Sequence, residues 1–233
     1  MTRSMQTPIF WDGASGTRSG KMLINPLLYT FAHNVASAVT LPAGRNRYVL
    51  ISVTDTDAYQ WGSATFGGVA LTKLAESYGQ GGFNYGFVQF WGMPIPDGWA
   101  GDKSIVPNTG KTTCQVWIFD NVDPANPMLD VDFTLDANTT ALSLTVDCTA
   151  DGYVVDTIGL NGAYTPNNGA NQTALNRGTC YGVSRYTTPA DGTVTMSWTF
   201  TLSRVGFAVI SLRFGAPASS GVDGVYQSDY SFM

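Results

Sequence analysis

Charge is what this chain has least of. Asp, Glu, Lys and Arg make up 12% of its 233 residues, about half the share usual in soluble domains. Lys and Arg number 12 against 17 acids, for a net charge of -5, and form no cluster. That composition excludes a nucleic-acid binder working by counterion release. Long apolar runs are missing too. None approaches the ~20 residues that cross a bilayer, and Met1 to Phe10 lacks the apolar centre of a signal peptide, so neither membrane insertion nor an ordinary exported enzyme is expected.

Catalytic equipment is equally sparse. His33 is the sole histidine. It sits among Tyr29, Phe31 and Asn34 with no nucleophile motif to serve, so it reads as a packed or surface residue. There is no Gly-x-Ser-x-Gly elbow, and Gly110-Lys111-Thr112 lacks the preceding glycine of a phosphate loop and reads as a hairpin turn. Paired carboxylates could hydrolyse glycosides without histidine, but Glu76 is the single glutamate. Asp130, Asp132 and Asp136 share one strand parity and read as a solvated face. Asp55-Thr56-Asp57 and Asp120-Asn121-Val122-Asp123 read as turn-stabilising residues that could also offer hard oxygen ligands to calcium. No enzyme, cofactor or assigned metal site is expected. Cys114, Cys148 and Cys180 lie too far apart for a zinc motif, and their odd number argues for buried free thiols over a disulfide framework.

What the chain does have is alternation. Leu129 to Asp136, Ala141 to Cys148, Thr193 to Leu202 and Arg47 to Thr54 place apolar residues on one parity and polar residues on the other, the pattern of half-buried strands. Val194, Met196, Trp198, Phe200 and Leu202 alternate with Thr193, Thr195, Ser197, Thr199 and Thr201. The fold class is therefore all-β, a two-sheet antiparallel sandwich with extended arms at both ends. Turn chemistry separates the strands, as at Pro42-Ala43-Gly44, Pro96-Asp97-Gly98 and Asp191-Gly192. Gln115 to Phe119 and Gly206 to Leu212 are apolar on both parities, so each predicts a central strand covered on both faces. The N-terminal zone, a long loop or a neighbouring subunit are the candidate covers. Gly159 to Gly178 reads as the longest irregular stretch.

Three zones follow. Residues 1–36 form an N-terminal arm that packs on the body or on a neighbour, residues 37–215 form the β-sandwich, and residues 216–233 form a C-terminal arm. The arms carry the candidate assembly contacts Phe10, Trp11, Tyr29, Phe31, Tyr226, Tyr230 and Phe232, because aromatic rings on a segment of low charge are natural anchors. Tyr59, Trp61, Asn84 and Trp99, in or beside Gly-rich loops, are candidate ligand-binding residues able to stack on a sugar. Trp91, Trp117 and Trp198, inside strands, read as core.

The order Ala64-Thr65-Phe66-Gly67-Gly68-Val69-Ala70-Leu71-Thr72-Lys73-Leu74, then Phe90-Trp91-Gly92-Met93-Pro94 with Pro96-Asp97-Gly98, then Trp117-Ile118-Phe119-Asp120-Asn121-Val122-Asp123-Pro124 resembles a jelly-roll-like β-sandwich module of tailed-phage virion proteins and bacterial surface or secreted proteins. The resemblance covers roughly Ser37 to Gly215 and carries no catalytic residues. It implies a structural protein located in the virion, a capsid decoration, fibre or tail-associated subunit, with other copies of itself and virion proteins as partners. The alternative is a carbohydrate-binding or receptor-binding module that recognises a host surface glycan.

Overall fold

The computed structural model describes residues 21–31, 36–55, 60–77, 86–108, 112–150, 152–162, 164–178, 181–188 and 190–214. All regular structure among them is β. The strands are β1 Lys21–Phe31, β2 Ser37–Leu41, β3 Arg47–Asp55, β4 Ala64–Phe66, β5 Val69–Ala70, β6 Thr72–Ser77, β7 Phe87–Ile95, β8 Gly101–Pro107, β9 Thr112–Asp120, β10 Met128–Cys148, β11 Tyr153–Asn161, β12 Asn167–Asn168, β13 Thr173–Gly178, β14 Tyr181–Thr187 and β15 Gly192–Leu212.

Where the sequence points to two sheets, these strands form three, with every described pairing antiparallel. A central sheet runs β1-β9-β3-β7-β6, a second large sheet runs β10-β15-β11-β14-β13, and a small sheet runs β2-β8-β4-β5. Strand β1 lies within the segment read as N-terminal arm, yet it pairs with β9 from Lys21↔Asp120 to Phe31↔Thr112, which makes it an edge of the central sheet.

Alternation assigns each strand face to a layer. One face of the central sheet (Val49, Ile51, Val53, Trp91, Val116, Ile118) packs on the small sheet through Val39, Leu41, Phe66 and Ile105. The opposite face (Leu50, Val88, Phe90, Trp117, Phe119) packs on Val155, Ala208, Ile210 and Leu212 of the second large sheet. The far face of that second sheet (Val154, Ile158, Leu160, Val205, Phe207, Val209) packs on Val146, Val194, Met196, Trp198 and Phe200. The double-sided apolarity of Gln115–Phe119 and Gly206–Leu212 is thus explained by the chain's own layers. The small sheet covers one of them, and a returning ribbon covers the other.

That ribbon is a feature the sequence reading divided. Leu129 to Asp136 and Ala141 to Cys148 read as two strands, as do Thr193 to Leu202 and Gly206 to Leu212. Each pair is instead one long strand, and β10 and β15 stay in register over their length apart from an irregularity at the start, between Met128 and Asp130, and two more mid-strand, between Asp136 and Ala141. There the ribbon folds over. Asn138 takes a φ of 61°, and the Asp147 N–H donates to Asp130 Oδ2 at 2.9 Å although both residues belong to β10. Residues from both halves of β15 therefore line one core.

The Gly159–Gly178 stretch is also more regular than expected. Strand β11 runs on to Asn161, and β13 pairs with β14 from Thr173↔Arg185 to Gly178↔Tyr181. No residue of β13 is fully buried, so it lacks the contrast between faces that marks a strand in sequence.

At one end the two large sheets meet backbone to backbone. Gly159 and Gly206 are cross-strand partners. A Cβ on Gly86 would stand 1.9 Å from Gly159 O, and one on Gly206 would stand 2.7 Å from Gly86 O. These positions admit no side chain.

Candidate functional site

Of the residues singled out for ligand binding, the structure describes two. Trp61 is fully buried, which corrects the expectation of an exposed stacking ring. The reason lies in Gln89, a buried side chain that holds the Trp61 backbone at both ends. The Trp61 N–H donates to Gln89 Oε1 (3.2 Å), and Gln89 Nε2 donates to Trp61 O (3.1 Å). Trp91 Nε1 donates to the same Oε1 at 3.0 Å, and the two indoles pack at 6.5 Å. The loop sequence suggested a free ring, but a glutamine on β7 draws it inward.

Trp99 is half-buried. Its ring packs against Phe66 at 6.4 Å and carries Lys103 Nζ 5.2 Å from its centroid, while its carbonyl accepts from Arg47 Nη2 at 2.7 Å. Tyr59 and Asn84 lie outside the described residues, as do Phe10, Trp11, Tyr226, Tyr230, Phe232, His33 and Cys180. Tyr29 and Phe31 have their backbones in β1, opposite Cys114 and Thr112. Cys114 and Cys148 are buried free thiols, and burial raises the pKa of both. Among the described residues no group of three or more His, Cys, Asp or Glu is placed to hold a metal ion. Asp123, from one of the candidate calcium clusters, accepts the N–H groups of Ala125 (2.9 Å) and Asn126 (3.2 Å) and so acts as a turn residue.

The densest polar constellation was not anticipated. Asp156 on β11 is fully buried. Its Oδ1 accepts from Ser184 N–H (2.7 Å) and Ser184 Oγ (2.7 Å), and its Oδ2 accepts from Trp198 Nε1 (2.8 Å) and Gln172 Nε2 (3.0 Å). Gln172 Oε1 in turn accepts the Ser197 N–H at 2.7 Å. Burial pushes the Asp156 carboxyl up to about 7, opposed by the hydrogen bonds from Ser184 and Trp198. Because every contact donates to the carboxyl, the group fits a structural acceptor that joins β11 and β14 to the returning ribbon. The signal in the sequence was a lone acid inside Val154-Val155-Asp156-Thr157-Ile158. Nothing in the Asn- and Gly-rich stretch singled out Gln172.

A different site forms where the described chain begins and ends. Lys21 pairs with Asp120, and Phe214 makes a bridge with Val122. The Asp123 N–H donates to Arg213 O at 2.9 Å, and the Val122 N–H to Asn46 O at 3.0 Å. Both ends therefore meet the body at one pole, around the turn that follows β9. Aromatic rings build that pole. Tyr153 packs on Phe119 at 5.8 Å and edge-on to Phe214 at 6.0 Å, with Arg185 Cζ 5.6 Å from the Tyr153 ring centroid. In comparisons with protein-family models, curated proteins and solved structures, nothing matches this chain.

Proposed function

We propose that this protein is a structural subunit of a tailed-phage virion, a decoration, fibre or tail-associated component, whose jelly-roll-like body is held in the particle by its terminal segments. One observation carries the reading: the chain enters and leaves the body at the same aromatic pole, Lys21 beside Asp120 and Phe214 beside Val122. Segments 1–20 and 215–233 thus start from one place, where both can reach the same neighbour. Their rings, Phe10, Trp11, Tyr226, Tyr230 and Phe232, provide apolar area to bury there, worth about 25 cal/mol per Å². The low charge of the chain also leaves its surface little opposed to association.

Glycan stacking is not favoured. Trp61 is withdrawn into the core and Trp99 is flanked by Phe66 and Lys103.

Quantitative mass spectrometry of purified particles tests the proposal. The protein is expected in many copies per particle as a decoration subunit and in few as a tail or fibre part. Deleting residues 216–233 should leave the β body folded by circular dichroism and abolish incorporation. Absence from particles, or incorporation indifferent to the deletion, overturns the reading.

A further inference from the structure

The outer edge of β10 is treated differently along its length. Among the described residues β10 pairs only with β15 and forms the border of its sheet. In its first half two of the N–H groups on the side away from β15 are capped by acids. The Val131 N–H donates to Asp130 Oδ1 and the Phe133 N–H to Asp132 Oδ1, both at 2.8 Å. Aspartates on an edge block a further strand by both charge and occupancy. In its second half two caps bracket a gap. Thr139 Oγ1 takes the Ala141 N–H (3.4 Å) and donates to Ala141 O (2.9 Å), and Asp130 Oδ2 takes the Asp147 N–H (2.9 Å). Main-chain groups of alternate residues point the same way, so Ser143 and Thr145, both exposed, turn theirs outward between the caps.

This gap has no gatekeeper. From Ala137 to Val146 there is no charged residue, proline or glycine. Leu142 and Leu144 remain half-buried where the third core runs out, although their partners Trp198 and Met196 on β15 are fully buried.

From this edge we infer that two copies of the chain pair through the second half of β10, antiparallel, about a two-fold axis at Leu144. Ser143 of each copy then lies opposite Thr145 of the other, and every outward N–H and C=O of these residues finds a partner. No other antiparallel self-register matches only the uncapped positions. Leu144 meets Leu144 across the axis and Leu142 meets Val146, extending the third core from one copy into the next. A second copy is the fitting occupant because the segment is neutral and self-complementary in this register, with no like charges opposed. The inference names a first partner for the assembly proposed above and is separable from it, since pairing is read on the purified chain and incorporation on particles.

Sedimentation equilibrium on the full chain should show a monomer–dimer equilibrium. Thr145→Pro removes an N–H from the free side of an edge strand, where proline is tolerated, and should weaken dimerisation at least ~10-fold with the far-ultraviolet spectrum unchanged. Should that variant misfold, Thr145→Lys provides the same comparison. The facing residues at the axis form a close pair of about 4.5 Å between Cα atoms, within disulfide reach. In a Cys180→Ser background, where the remaining thiols Cys114 and Cys148 are buried, Leu144→Cys should therefore oxidise to a covalent dimer, while the Cys180→Ser parent should not. A wild-type chain that stays monomeric up to about 100 μM, or a dimer indifferent to Thr145→Pro and Thr145→Lys with no Leu144→Cys cross-link, overturns the edge pairing. If such a chain still enters particles, the virion reading stands without it.

Discussion

The second large sheet is packed on both faces, and the two layers are built in opposite ways. Towards the central sheet, closure comes from hydrocarbon and from bare backbone: Ala208, Ile210 and Val155 against Leu50, Phe90 and Trp117, with Gly86, Gly159 and Gly206 in direct contact at one end. Towards the returning ribbon, closure is organised around a carboxyl group that receives hydrogen bonds from Ser184, Gln172 and Trp198. The apolar layer tolerates polar atoms that lack a partner among the described residues, Gln115 Nε2, Trp117 Nε1 and Thr157 Oγ1. Hydrocarbon sets how closely two layers approach but specifies position weakly. A saturated acceptor works through directed bonds, and here it fixes where a long, bendable ribbon must land.

Substitutions can pull these two modes apart. Gly86→Ala attacks the backbone contact, since the added methyl would lie 1.9 Å from Gly159 O. The sheets would have to separate, and urea unfolding should show a loss of about 3 kcal/mol or more. A stability near wild type would mean that the glycine contact is loose. Asp156→Ala strips the acceptor from buried donors on β14 and on the ribbon, at a cost of about 3 kcal/mol. It should also release the ribbon selectively, seen as faster amide hydrogen exchange at 193–200 than at 205–212. Uniform loss of protection across β15 would contradict a positional role for the carboxyl.

The carboxyl also predicts a pH dependence. In the folded protein Asp156 titrates at about 7, against an unfolded value of about 3.9. Between those values the native state holds a proton that the unfolded chain has released. Stability should therefore be full below about pH 4, decline as pH rises to about 7 and level off above it. Asp156→Asn should flatten this decline in the denaturant midpoint, and a decline of unchanged size would assign it to other groups. The smallest effect is expected at Thr157→Val. Its hydroxyl is buried without a partner among the described residues, so removing it should change stability by less than about 1 kcal/mol, in the stabilising direction if at all. A loss of several kcal/mol would show that the hydroxyl is bonded after all.

Much of this architecture was legible because period-two patterning reports which face of a strand is buried. Thr193–Leu202 showed the ribbon's core face, with Met196 and Trp198 inside and Thr195 and Thr199 out. Gln115–Phe119 showed that a further layer had to exist. The folding-over of β10 and β15 was not legible. Asp136 to Thr140 looks the same whether it ends a strand or turns a corner within one, and only the facing core reveals that both halves of β15 serve a single layer. Strand β13 escaped because none of its side chains is fully buried. Trp61 was misplaced because its burial is decided by Gln89, a residue distant in sequence that reads as an ordinary polar position. The Leu202 side chain shows the limit of parity itself: it continues the inward series on paper but is 57% exposed, because the ribbon bends there.

The shared pole of Lys21 and Phe214 also makes the body nearly a closed loop. Hydrogen-bonded neighbours of these two residues, Asp120 and Val122, are adjacent along the chain but for Asn121. A circular permutant that splices residue 214 to residue 21 through a short glycine linker, with new ends opened at the exposed 97–98 turn, should keep the same layers. The order in which the strands are synthesised would then be free to vary while the architecture stays the same.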